Sequence, residues 1–143
     1  MVSIDRADVD RARKALRREL RGLLDDLIGL GWSPSNAWVA NINSEVGIEL
    51  DRGWTRMRIL HDRGDPMIEV GSAQWAYSPT AWREYLSGVE QRTRLKLTDE
   101  IAMLRADLPA IEKAILDGSV VELQLRAIAS TQLQRDPPWL AVK

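Results

Sequence analysis

Residues 37–71 read AWVANINSEVGIELDRGWTRMRILHDRGDPMIEVG, and this stretch decides the fold because apolar and polar residues alternate along it. A period of two indicates β-strands that bury one face and expose the other. We therefore predict a four-stranded antiparallel meander. The residues predicted to face the core are Trp38, Ala40 and Ile42 on the first strand, Val46, Ile48 and Leu50 on the second, Thr55, Met57 and Ile59 on the third, and Ile68 and Val70 on the fourth.

The register of the meander is predicted by requiring apolar residues to lie opposite one another. A two-residue turn at Arg52-Gly53 meets this requirement and places Leu50 opposite Thr55, whereas a slip by one residue would not. Residues 61–66 are rich in turn formers and form the loop between the third and fourth strands. The pairs predicted by these turns are Ile48–Met57, Val46–Ile59, Ile59–Ile68 and Met57–Val70.

The opposite face of the meander is then charged. The predicted register places Glu49 opposite Arg56 and Arg58 opposite Glu69. Each cross-strand pair of opposite charges contributes roughly 0.2–1 kcal/mol to the stability of a sheet. This charged face is a solvated ladder of ion pairs, a surface covered by Trp75 and the C-terminal tail, or a contact surface for a partner.

The segments on either side of the meander have the spacing of amphipathic helices, with apolar residues three or four positions apart. One helix is predicted over residues 4–30, before the sheet. The helices after it are predicted at about 79–89, 98–117 and 119–134, and an extended tail at 135–143.

Residues 119–134 also carry a strand-like alternation at Val121, Leu123 and Leu125. We favour a helix because Glu, Gln, Leu, Arg and Ala predominate. The predicted fold is α+β: one domain, 1–143, in which the N-terminal helix and the C-terminal helices cover one face of the four-stranded antiparallel meander.

The composition indicates a folded protein without a strong global charge. The chain of 143 residues is long enough for one domain with an apolar core, its net charge is −1 and its pI is about 5.9. It has no cysteine, no signal-peptide pattern and no run near the roughly 20 apolar residues that span a bilayer. We expect a cytoplasmic protein without membrane partners. The chain has 16 Arg and 4 Lys, and such an excess of arginine over lysine is typical of a GC-rich bacterial genome.

The sequence offers no recognisable catalytic or metal-binding set. His61 is the single histidine and falls in a predicted loop, where we expect a solvated side chain. A zinc site would need further imidazole or thiolate ligands, and no Gly-x-Ser-x-Gly motif or phosphate-binding loop is present. We therefore expect a protein that is not an enzyme, with no metal and no cofactor.

Basic residues cluster on the first helix, between residues 11 and 21. Such a cluster can bind nucleic-acid phosphates, but the opposite side of the helix is an apolar stripe, so a solvated face explains it as well. Nucleic-acid binding is therefore an alternative that we consider less favoured. The six members of this basic cluster are Arg11, Arg13, Lys14, Arg17, Arg18 and Arg21.

The layout of helix, antiparallel meander and C-terminal helices resembles small bacterial immunity proteins, which neutralise a cognate toxin domain. The resemblance lies in the segments 46–51, 56–59 and 68–71, followed by a Trp-containing helix. It implies a non-enzymatic protein-binding module that acts by occluding a toxin. A structural or chaperone-like homodimer is a further alternative.

Exposed aromatic and arginine side chains are common anchors of protein interfaces. The predicted contact surface is accordingly the charged face of the meander with the aromatic residues near it. Its residues are Glu49, Trp54, Arg56, Arg58, Glu69, Trp75 and Tyr77.

Overall fold

The structure is a computed structural model that describes residues 4–40, 45–91, 95–118 and 121–135. It is an α+β fold with an open antiparallel sheet of strand order β1-β2-β3-β4-β5. The chain divides into two compact units, Met1–Ala76 and Tyr77–Lys143, and the single-domain boundary 1–143 stays a prediction. The elements are α1 (Arg6–Ala15), α2 (Arg18–Gly29), β1 (Ser33–Val39), β2 (Val46–Arg52), β3 (Thr55–Asp62), β4 (Asp65–Gly71), β5 (Ala76–Tyr77), α3 (Pro79–Ser87), α4 (Leu97–Asp117) and α5 (Val121–Arg135).

The prediction of four strands is wrong, because the sheet has five. The first strand begins at Ser33 rather than at residue 37. Pro34 disfavours regular pairing, but a bulge between Pro34 and Asn36 accommodates it within the strand. The short fifth strand, β5, follows a turn after β4. Ile42, predicted to face the core from the first strand, lies outside the described residues.

The predicted helix 4–30 is two helices rather than one. The backbone of Leu16 and Arg17 is extended, with ψ angles of 148° and 151°, which ends α1 and starts α2. The Leu16 amide still donates to the carbonyl oxygens of Ala12 and Arg13, and its own carbonyl accepts from the Arg21 guanidinium. The amide and carbonyl groups of Leu16 therefore keep hydrogen-bond partners at the break between the helices.

The two N-terminal helices and the sheet form the core of the first unit. Helix α1 contacts β1 and β2, and α2 contacts β3. The predicted cover by an N-terminal helix is thus provided by two helices whose apolar stripes are buried. The buried helix residues are Ala12, Leu16, Leu20, Leu23, Leu24 and Leu27, and the buried sheet residues facing the same core are Val46, Ile48, Leu50, Met57, Ile59, Ile68 and Val70.

The register between β2 and β3 differs from the prediction by two residues. Leu50 lies opposite Met57 rather than Thr55, and the turn is Gly53-Trp54 rather than Arg52-Gly53. Gly53 has a φ of +60°, the pattern of a type II′ turn, in which glycine occupies the first central position. A shift of two keeps every side chain on its predicted face, so the core set on β2 and β3 is unchanged.

The predicted register between β3 and β4 is confirmed, with Ile59 opposite Ile68. The loop predicted at 61–66 is wrong, because a two-residue turn at Arg63-Gly64 joins the strands. Both turn residues have positive φ, 53° and 86°, as in a type I′ turn. The strands therefore extend through most of the residues of the predicted loop.

His61 consequently lies in β3, and the prediction of a solvated loop residue is wrong. It faces the core, is 9% exposed, and its Nε2 lies 3.1 Å from the carbonyl oxygen of Ala15 at the end of α1. Its Nδ1 is buried and has no hydrogen-bond partner among the described residues. The imidazole thus helps to fix α1 against the sheet.

The second unit is built from the three C-terminal helices. Helix α3 contacts both α4 and α5. It starts at the Ser78 cap, whose hydroxyl oxygen accepts from the Ala81 amide, and ends at Gly88, whose φ is +70°. The predicted helices at 98–117 and 119–134 are confirmed as α4 and α5. Residues 119–120 and the predicted tail beyond Arg135 lie outside the described residues.

Candidate protein-binding face

The strand registers place three rows of residues on the sheet face opposite the core, which we call the outer face. Each row crosses β1 to β4, with one residue from each strand. The rows are Trp38, Gly47, Leu60 and Met67; then Asn36, Glu49, Arg58 and Glu69; then Ser33, Asp51, Arg56 and Gly71. The outer face therefore joins one mainly apolar row to two charged rows.

Trp38 lies on the outer face, so its predicted place in the core is wrong. It pairs with Gly47, and a Cβ atom built on Gly47 would lie only 2.2 Å from the Trp38 ring. The indole therefore occupies the space that a larger residue would need. Its Nε1 donates to Glu45 Oε1 at 2.8 Å, which holds the ring in place.

Leu60 and Met67 extend the apolar row beyond Trp38. Leu60 is 7% exposed although it faces away from α1 and α2, whereas Met67 is 49% exposed. Flexible, polarizable methionine side chains suit surfaces that bind other proteins. This end of the outer face thus presents an accessible apolar side chain beside a charged area.

Arg56 is held by acidic residues of the neighbouring strand. Its Nε and Nη2 donate to the two carboxylate oxygens of Asp51 at 2.8 and 3.3 Å, and its Nη1 lies 3.7 Å from Glu49 Oε2. The hydrogen bonds to Asp51 raise the pKa of Arg56. The predicted Glu49–Arg56 ion pair is present as a diagonal contact, because the residue directly opposite Arg56 is Asp51.

Arg58, in the middle of the outer face, is held more loosely. Its guanidinium lies 5.8 Å from the centre of the Trp38 ring, within the range of a cation–π contact. Its Nη1 is 3.6 Å from Glu69 Oε1, so the predicted pairing of these residues across β3 and β4 is confirmed. Within the described part of the chain, Arg58 makes no hydrogen bond, and its Nε is buried without a partner.

A cavity of about 320 Å³ opens on the charged rows, and we call it the outer-face cavity. One wall is the turn after β4, in which the Ser72 amide donates to the Trp75 carbonyl oxygen. This turn comes so close to Gly71 that a Cβ atom there would lie 2.0 Å from that oxygen. The lining residues are Glu49, Arg56, Arg58, Glu69, Ser72, Ala73, Gln74, Trp75 and Ala76.

Five of the seven predicted contact residues line the outer-face cavity, and two do not. Trp54 lies in the turn between β2 and β3 and is 76% exposed. Tyr77 belongs to the second unit, where its hydroxyl donates to Glu122 Oε1 at 3.0 Å. Burial raises the pKa of Tyr77, and the bond to Glu122 adds to the effect. The five that line the cavity are Glu49, Arg56, Arg58, Glu69 and Trp75.

Sequence reasoning missed several residues of the outer face, among them Trp38, Asp51 and Met67. Trp38 is apolar and was therefore expected in the core, yet the glycine at position 47 signals a close approach by another group. Asp51 was missed because the predicted register places Glu49, rather than Asp51, opposite Arg56. Met67 directly precedes the predicted core residue Ile68, so it must face the opposite side of the strand and could have been found from the predicted register.

The basic cluster on α1 and α2 is partly neutralised by neighbouring acids. Arg13 donates two hydrogen bonds to Asp25, at 2.6 and 2.8 Å, and joins α1 to α2. Arg11 lies 3.4 Å from Asp8 on its own helix. These ion pairs lower the positive potential that phosphate binding requires.

Two further members of the basic cluster are bound to the backbone. Arg17 donates to the carbonyl oxygen of Gly64 at 3.0 Å, and Arg21 donates to that of Leu16 at 3.1 Å. These four arginines therefore have structural partners. The exposed remainder of the cluster is Lys14 and Arg18.

The described residues hold neither a metal-binding cluster nor a membrane-spanning helix. No three His, Asp or Glu side chains come together there in a group that could hold a metal ion. Among the helices of the described ranges, none is long and apolar enough to cross a membrane.

Protein-family models, curated protein sequences and solved structures give no significant match to this chain. The resemblance to immunity proteins therefore rests on the pattern of elements alone.

Proposed function

We propose that the protein is a non-enzymatic binding module that recognises another protein through the outer face of its sheet. The observation that carries the proposal is the combination of exposed Met67 with the charged cavity around Arg58. Protein interfaces combine an apolar centre with a polar rim and are enriched in Arg, Met and aromatic residues. The outer face has this composition over its three rows.

The face is a better binding surface than the edges of the sheet. A partner strand that pairs with an edge needs a regular row of backbone groups. The edge strand β1 carries Pro34 and a bulge, which both disfavour such pairing, and β5 has two residues. We therefore propose that the partner is recognised by side chains of the outer face rather than by strand pairing at an edge.

We further propose that the partner is a bacterial toxin domain, which the protein neutralises by occlusion in the cytoplasm. The support is the resemblance of the element order to small immunity proteins. The charged cavity adds a physical argument, because complementary charges accelerate association and select the correct partner. A protein that must capture a toxin quickly benefits from both effects.

The test takes the protein encoded directly upstream of the gene for this protein as the candidate toxin and measures its binding by calorimetry. We expect Arg58→Glu and Met67→Asp each to weaken binding at least about tenfold, as at the centre of an interface. Arg18→Glu is the matched control, because it makes the same charge reversal at an exposed position of α2.

Circular dichroism confirms that each variant is folded before its affinity is compared. Full affinity in both outer-face variants would contradict the proposed surface. No binding by the wild-type protein would remove the toxin domain as the partner. A stable dimer in a mass measurement in solution would instead favour the homodimer alternative.

A further inference from the structure

Arg58 and Glu69 face each other on the outer face without a hydrogen bond. The shortest distance between their charged groups is 3.6 Å, longer than the 2.7–2.9 Å of a charge-assisted hydrogen bond. Within the described chain, neither side chain donates or accepts a hydrogen bond elsewhere. The side chains are 40% and 27% exposed, respectively, so both are accessible from the outer-face cavity.

The neighbouring charged residues of the cavity are better satisfied. Arg56 donates two hydrogen bonds to Asp51, and Glu49 accepts from the Asn36 side chain at 3.4 Å. Among the charged residues of the cavity, Arg58 and Glu69 are therefore the two whose hydrogen-bonding capacity is least used.

We infer that this pair recognises a carboxamide, and that the partner inserts an Asn or Gln side chain into the outer-face cavity. A carboxamide carries a carbonyl acceptor and an N–H donor side by side. Its oxygen can accept from the Arg58 guanidinium while its nitrogen donates to the Glu69 carboxylate. The inference rests on the proposed function, since it names the group that the partner supplies.

The charges of the cavity favour a neutral ligand. Arg58 and Glu69 cancel, so a carboxylate ligand would be repelled by Glu69 and an ammonium ligand by Arg58. An amide meets neither repulsion and forms a hydrogen bond with each charged group. Trp38 supports this geometry because the Arg58 guanidinium lies 5.8 Å from the centre of its ring, within cation–π range.

The outer-face cavity is large enough to admit a side chain. At about 320 Å³ it lies at the lower limit of small-molecule pockets, which occupy roughly 300–1,000 Å³. Ser72 and Gln74 add neutral polar groups to the lining, and Trp75 adds an aromatic one. An amide side chain can therefore contact polar groups at its tip and the indole along its stem.

The test is a titration of the full-length protein with propionamide, propionate or propylammonium, three probes of similar size and different charge. Binding is followed by NMR at the Arg58 Nε–H and the Trp38 and Trp75 indole N–H resonances. We expect propionamide to bind at least about threefold more tightly than either ion, the ratio given by one weak net hydrogen bond.

Two variants should switch this preference. Glu69→Gln leaves a net positive pair and should favour propionate, whereas Arg58→Gln leaves a net negative pair and should favour propylammonium. The matched control is Lys113→Gln, which removes an exposed charge from α4 and should keep the preference for propionamide.

Equal binding of the three probes, no shift of these resonances, or an unchanged preference in the two variants would overturn the inference. The result is separable from the partner experiment. Weak toxin binding by Arg58→Glu without a propionamide preference would remove the inference and keep the proposed function. A propionamide preference without any toxin binding would keep the inference and remove the toxin domain as the partner.

Discussion

At the scale of single residues, Gly47 decides how the outer face is built. Its lack of a side chain lets the Trp38 indole lie across β2, with a Cβ position only 2.2 Å from the ring. The indole in turn contacts Arg58 and donates to Glu45. One glycine thus sets the position of the aromatic group and of the cation at the centre of the proposed binding surface.

We predict that Gly47→Ala lowers the free energy of unfolding by about 1–3 kcal/mol, the usual cost of inserting a methyl group into a packed site. The Trp38 ring must move, so its indole N–H resonance should shift and toxin binding should weaken. Urea unfolding followed by circular dichroism measures the stability.

The control for this substitution is Gly22→Ala. Gly22 lies in α2, and beyond the backbone of that helix no atom comes within 4 Å of the position that an added methyl group would take. Because alanine favours a helix over glycine, this variant should gain about 0.5–1 kcal/mol. We expect Gly47→Ala to lower the free energy of unfolding and Gly22→Ala to raise it. A loss of stability in both variants would contradict the prediction.

At the scale of elements, the break between α1 and α2 is bridged by the Arg13–Asp25 ion pair. The hydrogen bonds from Arg13 lower the pKa of Asp25, and the same contact raises the pKa of Arg13. Both side chains are more than a third exposed, so solvent screens the interaction and its contribution to stability is modest. The pair therefore holds α1 and α2 in their relative orientation and adds little to the free energy of unfolding.

This pair predicts a specific dependence of stability on pH. A carboxylate whose pKa is lower in the folded state stabilises the fold above its unfolded pKa, and this contribution is lost as pH falls through the folded pKa. Asp25→Asn should therefore unfold at lower urea concentration than the wild type at neutral pH, and the difference should shrink below about pH 4.

The control is Asp62→Asn, which removes an exposed carboxylate at the end of β3. This variant leaves the Arg13–Asp25 pair in place, so it shows what the loss of a carboxylate elsewhere in the same unit does to the stability. A constant difference for Asp25→Asn would contradict the role assigned to the pair. Added salt should reduce the effect, because exposed ion pairs are screened.

At the scale of the whole molecule, charge is balanced within each compact unit. Residues 1–76 contain eleven basic and twelve acidic side chains, and residues 77–143 contain nine of each. Neither unit therefore carries the net positive charge that is typical of nucleic-acid-binding domains. The basic cluster on α1 and α2 is offset within its own unit.

We accordingly expect no salt-dependent retention of the protein on immobilised DNA or RNA at physiological ionic strength. A triple variant that replaces Arg13, Arg17 and Arg18 with Gln should elute with the wild type. Retention of the wild type that is lost in the triple variant would establish the nucleic-acid alternative and displace the proposed function.

Much of the fold was predictable because the patterns that indicate its strands and helices lie within short stretches of the sequence. The alternation in β2, β3 and β4 predicted the core faces, and the β3–β4 register followed from matching apolar residues. The helical spacing located α4 and α5. For the candidate site, the charged face and the Arg58–Glu69 pair were predicted as well.

The sequence by itself determined the α+β class, the faces of the central strands and the charged character of the outer face. The tertiary structure decided the position of the β2–β3 turn, the division of the first helix, the burial of His61 and the place of Trp38. The reason is physical: a register shift of two residues preserves every face, so alternation cannot distinguish the two registers. Turn dihedrals and contacts between distant residues choose between them, and they also assemble the outer-face cavity.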